Sequence, residues 1–451
     1  MRRNISFRGT NLSERFSVKR SLTEVISEED FLTLAQDHSQ NFLKIYDFLI
    51  RTKSNNPCTR RFYAYLIEES EELETFLDDH SARDNKTWYF FVKLVACIRN
   101  IAKAAFVLKH ILHRYPAYDL QGEEVDQFLK DAQRVSDYFA KTVLSLFESI
   151  REQAHFLGIS LPEAPLEEDI FGEVYPRKRL PYTIDEDEEE PTDGRKAIAK
   201  IASQYLSISK RFKDFRWDMG KKDLNDLQGI VPEKINEEKS RELMAHIHNL
   251  ESTYDHHIRH SPLESQDERL KTFRGYISMP LHLMSAVNWL THLYQRHLKG
   301  TRQDISHIID DRIILDIAIN YCLYYAGHYL QAGKQLALDL TRTYIEIGTC
   351  ELKIPEKLGF HLRPATLVAR VANYYGSNLA LLVDGQEYDA SSVLNLTMAS
   401  GLIARKGVKT VLFKGDKRTL HDLEILAQHN YGEDFDGNQV PLPAELSHLW
   451  N

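Results

Sequence analysis

Apolar residues recur at threes and fours through most of the chain before Gly348, the period of one helix face. In the first third they predict four helices, near Glu29–Thr52, Thr59–Asp78, Lys86–Arg114 and Gly122–Leu157. The third is the plainest. Phe90, Leu94, Val95, Ile98, Ile101, Ala105, Leu108 and Leu112 share a face, and Tyr115-Pro116 ends it because proline cannot continue the hydrogen-bond ladder. A second block is predicted near Lys196–Phe215, Pro232–Arg259, Leu263–Leu298 and Ser306–Ile347. Its third helix opens Thr272-Phe273-Arg274-Gly275-Tyr276, against Thr87-Trp88-Tyr89-Phe90-Phe91 in the first block. That match is the trace a duplication into two four-helix lobes would leave.

Between the blocks, from about Gly158 to Arg195, the helical period fails. Pro162, Pro165, Pro176, Pro181 and Pro191 punctuate this stretch, and Asp185 to Glu190 is an unbroken acidic run. Such a run repels itself and stays solvated, so the stretch reads as a linker. After Gly348 the period changes to two. Leu379–Val383 and Gln386–Ala390 flank Asp384-Gly385, the strongest short-range signal for a hairpin. Val408–Phe413 is another strand, and helices are expected near Arg363–Tyr375, Ser392–Ile403 and Thr419–His429. The expected architecture is multidomain. It has a helical lobe over 1–157, a linker over 158–195, a second helical lobe over 196–347, a small α+β domain over 348–432 and an extended tail over 433–451.

Composition narrows the function classes. Among 451 residues, 43% are hydrophobic and 27% charged, which excludes a mostly disordered or low-complexity chain. A net charge of −9 argues against nucleic acid as the main partner. No apolar run approaches the ~20 residues that cross a bilayer; Leu94–Leu112 comes nearest and is broken by Arg99, Lys103, Lys109 and His110. The basic start Met1-Arg2-Arg3 is not followed by the apolar stretch of a secretory signal. Cys58, Cys97, Cys322 and Cys350 are scattered, as reduced cytosolic thiols are, so a cytoplasmic location is expected.

The candidate chemistry lies in Gly359-Phe360-His361-Leu362-Arg363-Pro364-Ala365, between the first strand and first helix of the α+β domain. Pro364 belongs in the first turn of a helix, where its missing N–H costs nothing. That puts His361 at or beside the N-cap, facing free N–H groups and the positive end of the helix dipole. A phosphoryl group on the ring would be held there as anions are held at helix N-termini. Arg363 adds a fork that binds phosphate oxygens. A surface histidine beside an ordinary helix start fits the spacing equally well.

This stretch, from Glu351 to about His429, resembles the histidine-containing phosphocarrier HPr of the bacterial phosphoenolpyruvate-dependent phosphotransferase system. The resemblance implies an open-faced β-sandwich. It implies His361 as the residue phosphorylated by enzyme I, Arg363 as the stabiliser of the phosphohistidine, and a role in sugar transport or its regulation. Some members carry a regulatory serine at the start of the second helix, which corresponds to Ser392, the site for an HPr kinase; a plain N-cap serine is the alternative there. The family's docking patch would comprise Thr366, Val393, Leu394, Thr397 and Met398. Three features depart from the pattern. The chain is longer near Met398-Ala399-Ser400-Gly401, and Asn373 and Asn395 stand where members often carry small or basic residues. The long helical region has no counterpart in the stand-alone carrier.

In that helical region, Glu242 and His246 are four apart, as are His256 and His260. Such pairs can share a helix face, as metal-binding bundles require, but the repeated Glu-x-x-His of di-iron bundles is missing. Trp88, Tyr89, Trp289, Tyr294, Tyr324 and Tyr325 read as core. No Walker loop or kinase signature occurs, and no cofactor is expected. The expectation is a phosphocarrier or regulator with a helical partner-binding module, passing its phosphoryl group to a downstream component. Two alternatives stand beside it: an interaction scaffold that keeps the phosphocarrier fold for docking, and a metal-binding helical bundle controlled by that domain.

Overall fold

A computed structural model of the chain describes residues 25–52, 58–120, 123–164, 166–172, 194–214, 221–299, 305–355, 359–375, 378–434 and 437–449. The acidic run Asp185–Glu190 and Trp450 lie outside them.

The first helical block consists of α1 (Glu28–Arg51), α2 (Arg60–Asp79), α3 (Tyr89–Arg114) and α4 (Glu123–Leu157). Ser27 and Thr59 cap α1 and α2, their side chains accepting from the N–H groups of Asp30 and Phe62. The second block consists of α5 (Gly194–Asp214), α6 (Glu237–His257), the short α7 (Pro262–Gln266), α8 (Arg269–Leu293), α9 (Asp311–Asp316) and α10 (Tyr324–Tyr344). Helix α6 starts later than its hydrophobic pattern suggests, because Asn236 is its cap and accepts from Lys239 N–H at 2.9 Å. A π-turn over Tyr294–Leu298 follows α8, and another over Ile317–Leu323 joins α9 to α10. Helices α3 and α8, whose openings share a motif, pack against each other. Apolar side chains of both blocks therefore form one continuous core, from Phe31 to Tyr344.

Two residues, Ile345 and Glu346, lead from α10 into the α+β domain. Its order is β1 (Ile347–Lys353), α11 (Leu362–Tyr375), β2 (Ala380–Val383), β3 (Gln386–Asp389), α12 (Val393–Lys406), β4 (Thr410–Asp416) and α13 (Lys417–Gln428). The four strands form an antiparallel sheet in the order β1-β4-β2-β3. Asp384 and Gly385 turn the β2–β3 hairpin with φ of 52° and 76°, the left-handed pair a two-residue turn needs. Helix α12 runs unbroken through Met398–Gly401 and ends on Gly407 at φ 65°. The domain has its own core, around Leu381, Leu396, Phe413 and Leu423.

The stretch after Tyr431 is not the extended tail its prolines suggest. Val440 N–H donates to Gly432 O at 3.0 Å, Glu433 bridges Gln439, and a 3-10 segment spans Ala444–Leu449. Leu446 and Leu449 enter the domain core. These two leucines carry the fold-back; prolines at 441 and 443 hide it, because they also suit an extended chain.

The two cores meet near the α10–β1 connection. Arg418 Nη1 donates to Lys196 O at 3.2 Å, and Lys417 N–H donates to Glu346 O at 2.9 Å.

Candidate functional site

The loop before α11 is pinned from both sides. Gly359 takes φ 62°, which favours glycine, and a Cβ there would come 2.9 Å from Ser400 Oγ of α12. Phe360 is fully buried, edge-on to Phe413 and Tyr431. His361 follows at once and caps α11, its carbonyl accepting from Ala365 N–H at 3.0 Å. Pro364 is buried in the first turn. The N–H groups of that turn have no acceptor within the helix.

A buried carboxylate completes the site. Glu433 Oε1 and Oε2 lie 3.0 and 3.1 Å from His361 Nε2, and Arg363 Nη1 lies 3.5 Å from Glu433 Oε1. The Glu433 side chain is 3% exposed, whereas His361 keeps 31% and Arg363 42%. Glu433 is held by a tight turn. Its N–H donates to Asn430 O and its carbonyl accepts from Asn430 Nδ2, both at 3.2 Å. Asn430 and Tyr431 take φ of 45° and 54°, and Tyr431 OH donates to Lys353 O at 2.9 Å. The chemistry this permits is specific. With its proton on the nitrogen that faces the carboxylate, a neutral ring has its lone pair on Nδ1.

The scan against family models matches residues 349–410 to the PTS HPr component phosphorylation site. The C-terminal domain is HPr-like. The match ends before Glu433, and no family model matches the helical region. Searches of the curated proteins and of the solved structures return no match. The phosphocarrier role in the phosphotransferase system is the function an HPr-like domain indicates.

Around the loop of the HPr-like domain, Leu362, Leu394 and Met398 are 72%, 69% and 61% exposed. Thr366 and Thr397 are also exposed, and Val393 is half-buried. Thus α12 presents Leu394 and Met398, one turn apart, from the helix whose Ser400 meets Gly359. Ser392 is the N-cap of α12, its Oγ accepting from Asn395 N–H at 3.3 Å. Asn373 Nδ2 donates to Ser391 O at 3.1 Å, which ties α11 to the start of α12.

Elsewhere, among the described residues, no three His, Cys, Asp or Glu side chains converge as a metal site would require. His246 lies 3.8 Å from Glu242 and shares its Nε2 with Arg211 at 3.2 Å, and His256 packs on the ring of His257. No helix of the described residues is long and apolar enough to cross a membrane.

Sequence reasoning reaches His361 and Arg363 but misses Glu433. It stands 72 residues beyond the histidine, and no local spacing marks it. The polar Gly432-Glu433-Asp434 after α13 looks like any helix exit.

Proposed function

We propose that the protein is a phosphocarrier or regulator of the phosphotransferase system, phosphorylated on His361 by enzyme I. One observation carries this reading: His361 caps α11 with Nε2 against the buried Glu433 and Arg363 alongside. The Nδ1 lone pair forms the new N–P bond as the donor's bond to phosphorus breaks. The imidazolium so formed keeps its Nε2 proton against Glu433, which offsets the charge. The first-turn N–H groups of α11 receive the phosphoryl oxygens, and Arg363 is within reach to turn from Glu433 to them. Exposed Leu362, Leu394 and Met398, with Thr366, Val393 and Thr397, form the face on which the donor and a downstream acceptor dock. Ser392 offers an HPr kinase a hydroxyl at a helix N-terminus, where a phosphate would be tolerated. The helical lobes over 1–157 and 196–347 serve as the partner-binding module in the cytoplasm.

The same carboxylate favours a second reading, an interaction module without relay, since Glu433 already occupies both His361 and Arg363. Incubation with enzyme I and labelled phosphoenolpyruvate separates the two. An acid-labile label on the wild type and none on His361→Ala establishes phosphoryl acceptance. A folded wild type that takes no label sinks it and leaves the docking role.

A further inference from the structure

The two helical blocks line a half-open cleft of about 620 Å³ that no part of the phosphocarrier reading uses. It lies between the C-terminal half of α2, the first half of α3, the start of α6 and the π-turn after α8. Its size falls within the roughly 300–1,000 Å³ of small-molecule sites. Its lining is charged, and positive charge prevails. Arg83, Lys93, Arg99, Arg296 and Lys299 face Glu74, Asp78 and Glu237, an excess of two positive charges with the histidines left out.

Three polar atoms on the lining residues are buried without a hydrogen-bond partner, Arg99 Nε, His297 Nε2 and Glu74 Oε2, the last of which is ion-paired with Arg99. Unpartnered buried polar atoms are costly and rare. Arg99 is aimed by Glu74, whose Oε2 lies 2.8 Å from Nη1, so one edge of the guanidinium is fixed and Nε is left over. His297 reaches the cavity because the backbone bulges: Lys299 N–H bonds Tyr294 O at 2.8 Å, a π-turn of the kind concentrated at functional sites. Burial, with His292, Arg99, Arg83 and Lys93 around it, pushes the His297 imidazole down to about 3. It is therefore a neutral ring in a positive field. Glu237 holds His292 at 3.1 Å, and the His292 ring lies 5.6 Å from that of His297.

We propose that this cavity binds a small organic dianion, a phosphate monoester or a dicarboxylate. Arg99 Nε donates to it, His297 donates in the tautomer with its proton on Nε2, and Arg296 and Lys299 at the rim supply charge. A dianion cancels the excess of two positive charges and gives Arg99 Nε an acceptor. The planar guanidinium forks of Arg83, Arg99 and Arg296 suit the oxygens of either group.

The test is isothermal titration calorimetry of the full-length protein with glycerol 3-phosphate, with succinate, and with glycerol as the uncharged control. At least one anion binds saturably at one per chain, and glycerol does not bind. Binding of the phosphate alone or of succinate alone identifies the source of the charge. Arg296→Gln with Lys299→Gln leaves the melting temperature in place and weakens binding by about tenfold or more. His361→Ala leaves binding unchanged, which separates this cavity from the anion site of the HPr-like domain. No saturable binding of either anion overturns the proposal, as does binding that survives the rim substitutions or disappears with His361.

Discussion

A carboxylate against an imidazole nitrogen selects the tautomer and fixes the ring plane. Glu433 does both for His361, and from a buried position it cannot swing away into water. It touches no reacting atom in the proposed transfer and acts through the histidine, so it is a positioning residue. Glu433→Gln preserves shape and removes the charge. The substitution is expected to slow acid-labile labelling of His361 by roughly tenfold, the size of effect that losing a ring-orienting partner produces. The phosphorylated state should also be lost faster, because the imidazolium lacks its counter-charge. Equal labelling rates in wild type and variant would show that the carboxylate is a structural neighbour only. His361 was legible in the sequence because a helix start is local: proline in the first turn and glycine two residues before the histidine fix the backbone within one turn. Glu433 was not legible, because it joins the histidine through the tertiary fold.

The elements of the HPr-like domain are held by residues that the sequence marks well. Asp384-Gly385 turns its hairpin, and Gly407 ends α12 in the left-handed conformation. Ser392 begins α12, and its hydroxyl is the acceptor for Asn395 N–H. Ser392→Ala removes that acceptor and should cost about 1 kcal/mol locally. Amides in the first turn of α12 would then exchange with solvent about fivefold faster, provided exchange there proceeds by local opening. Unchanged protection would mean that the cap contributes nothing and leave the serine without a structural reason to be there. Two elements were not legible. The π-turns keep apolar residues near the helical period, so Leu263–Leu298 and Ser306–Ile347 each read as one helix. The fold-back of Leu446 and Leu449 depends on a groove that exists only once the sheet and α13 have formed.

The helical region holds histidines that resist protonation among its packed helices. Burial, with neighbouring cationic groups, lowers His110 and His282 to about 4 and His297 to about 3. The rings of His110 and His282 lie 4.6 Å apart, one on α3 and one on α8, at the joint between the blocks. In the unfolded chain each takes up a proton near pH 6.5, so between about 6.5 and 4 the unfolded state binds more protons. Stability is thus complete above about pH 6.5 and falls as pH drops, by up to roughly 1.4 kcal/mol per pH unit for each histidine. Denaturant unfolding of the helical region at several pH values should show this slope, and His282→Gln should reduce it by about one proton. A slope that does not change in the variant would place the titrating group elsewhere. The joint itself was only half legible: the sequence divides into two blocks, but the packing of α3 on α8 merges their cores. The connection at the other end matters as much. Only Ile345 and Glu346 separate α10 from β1, Lys417 N–H holds Glu346 O, and Arg418 reaches Lys196 O on α5. A tether this short cannot work as a swinging arm. A phosphoryl group on His361 would travel with the whole molecule, and any donor or acceptor must diffuse to it and dock.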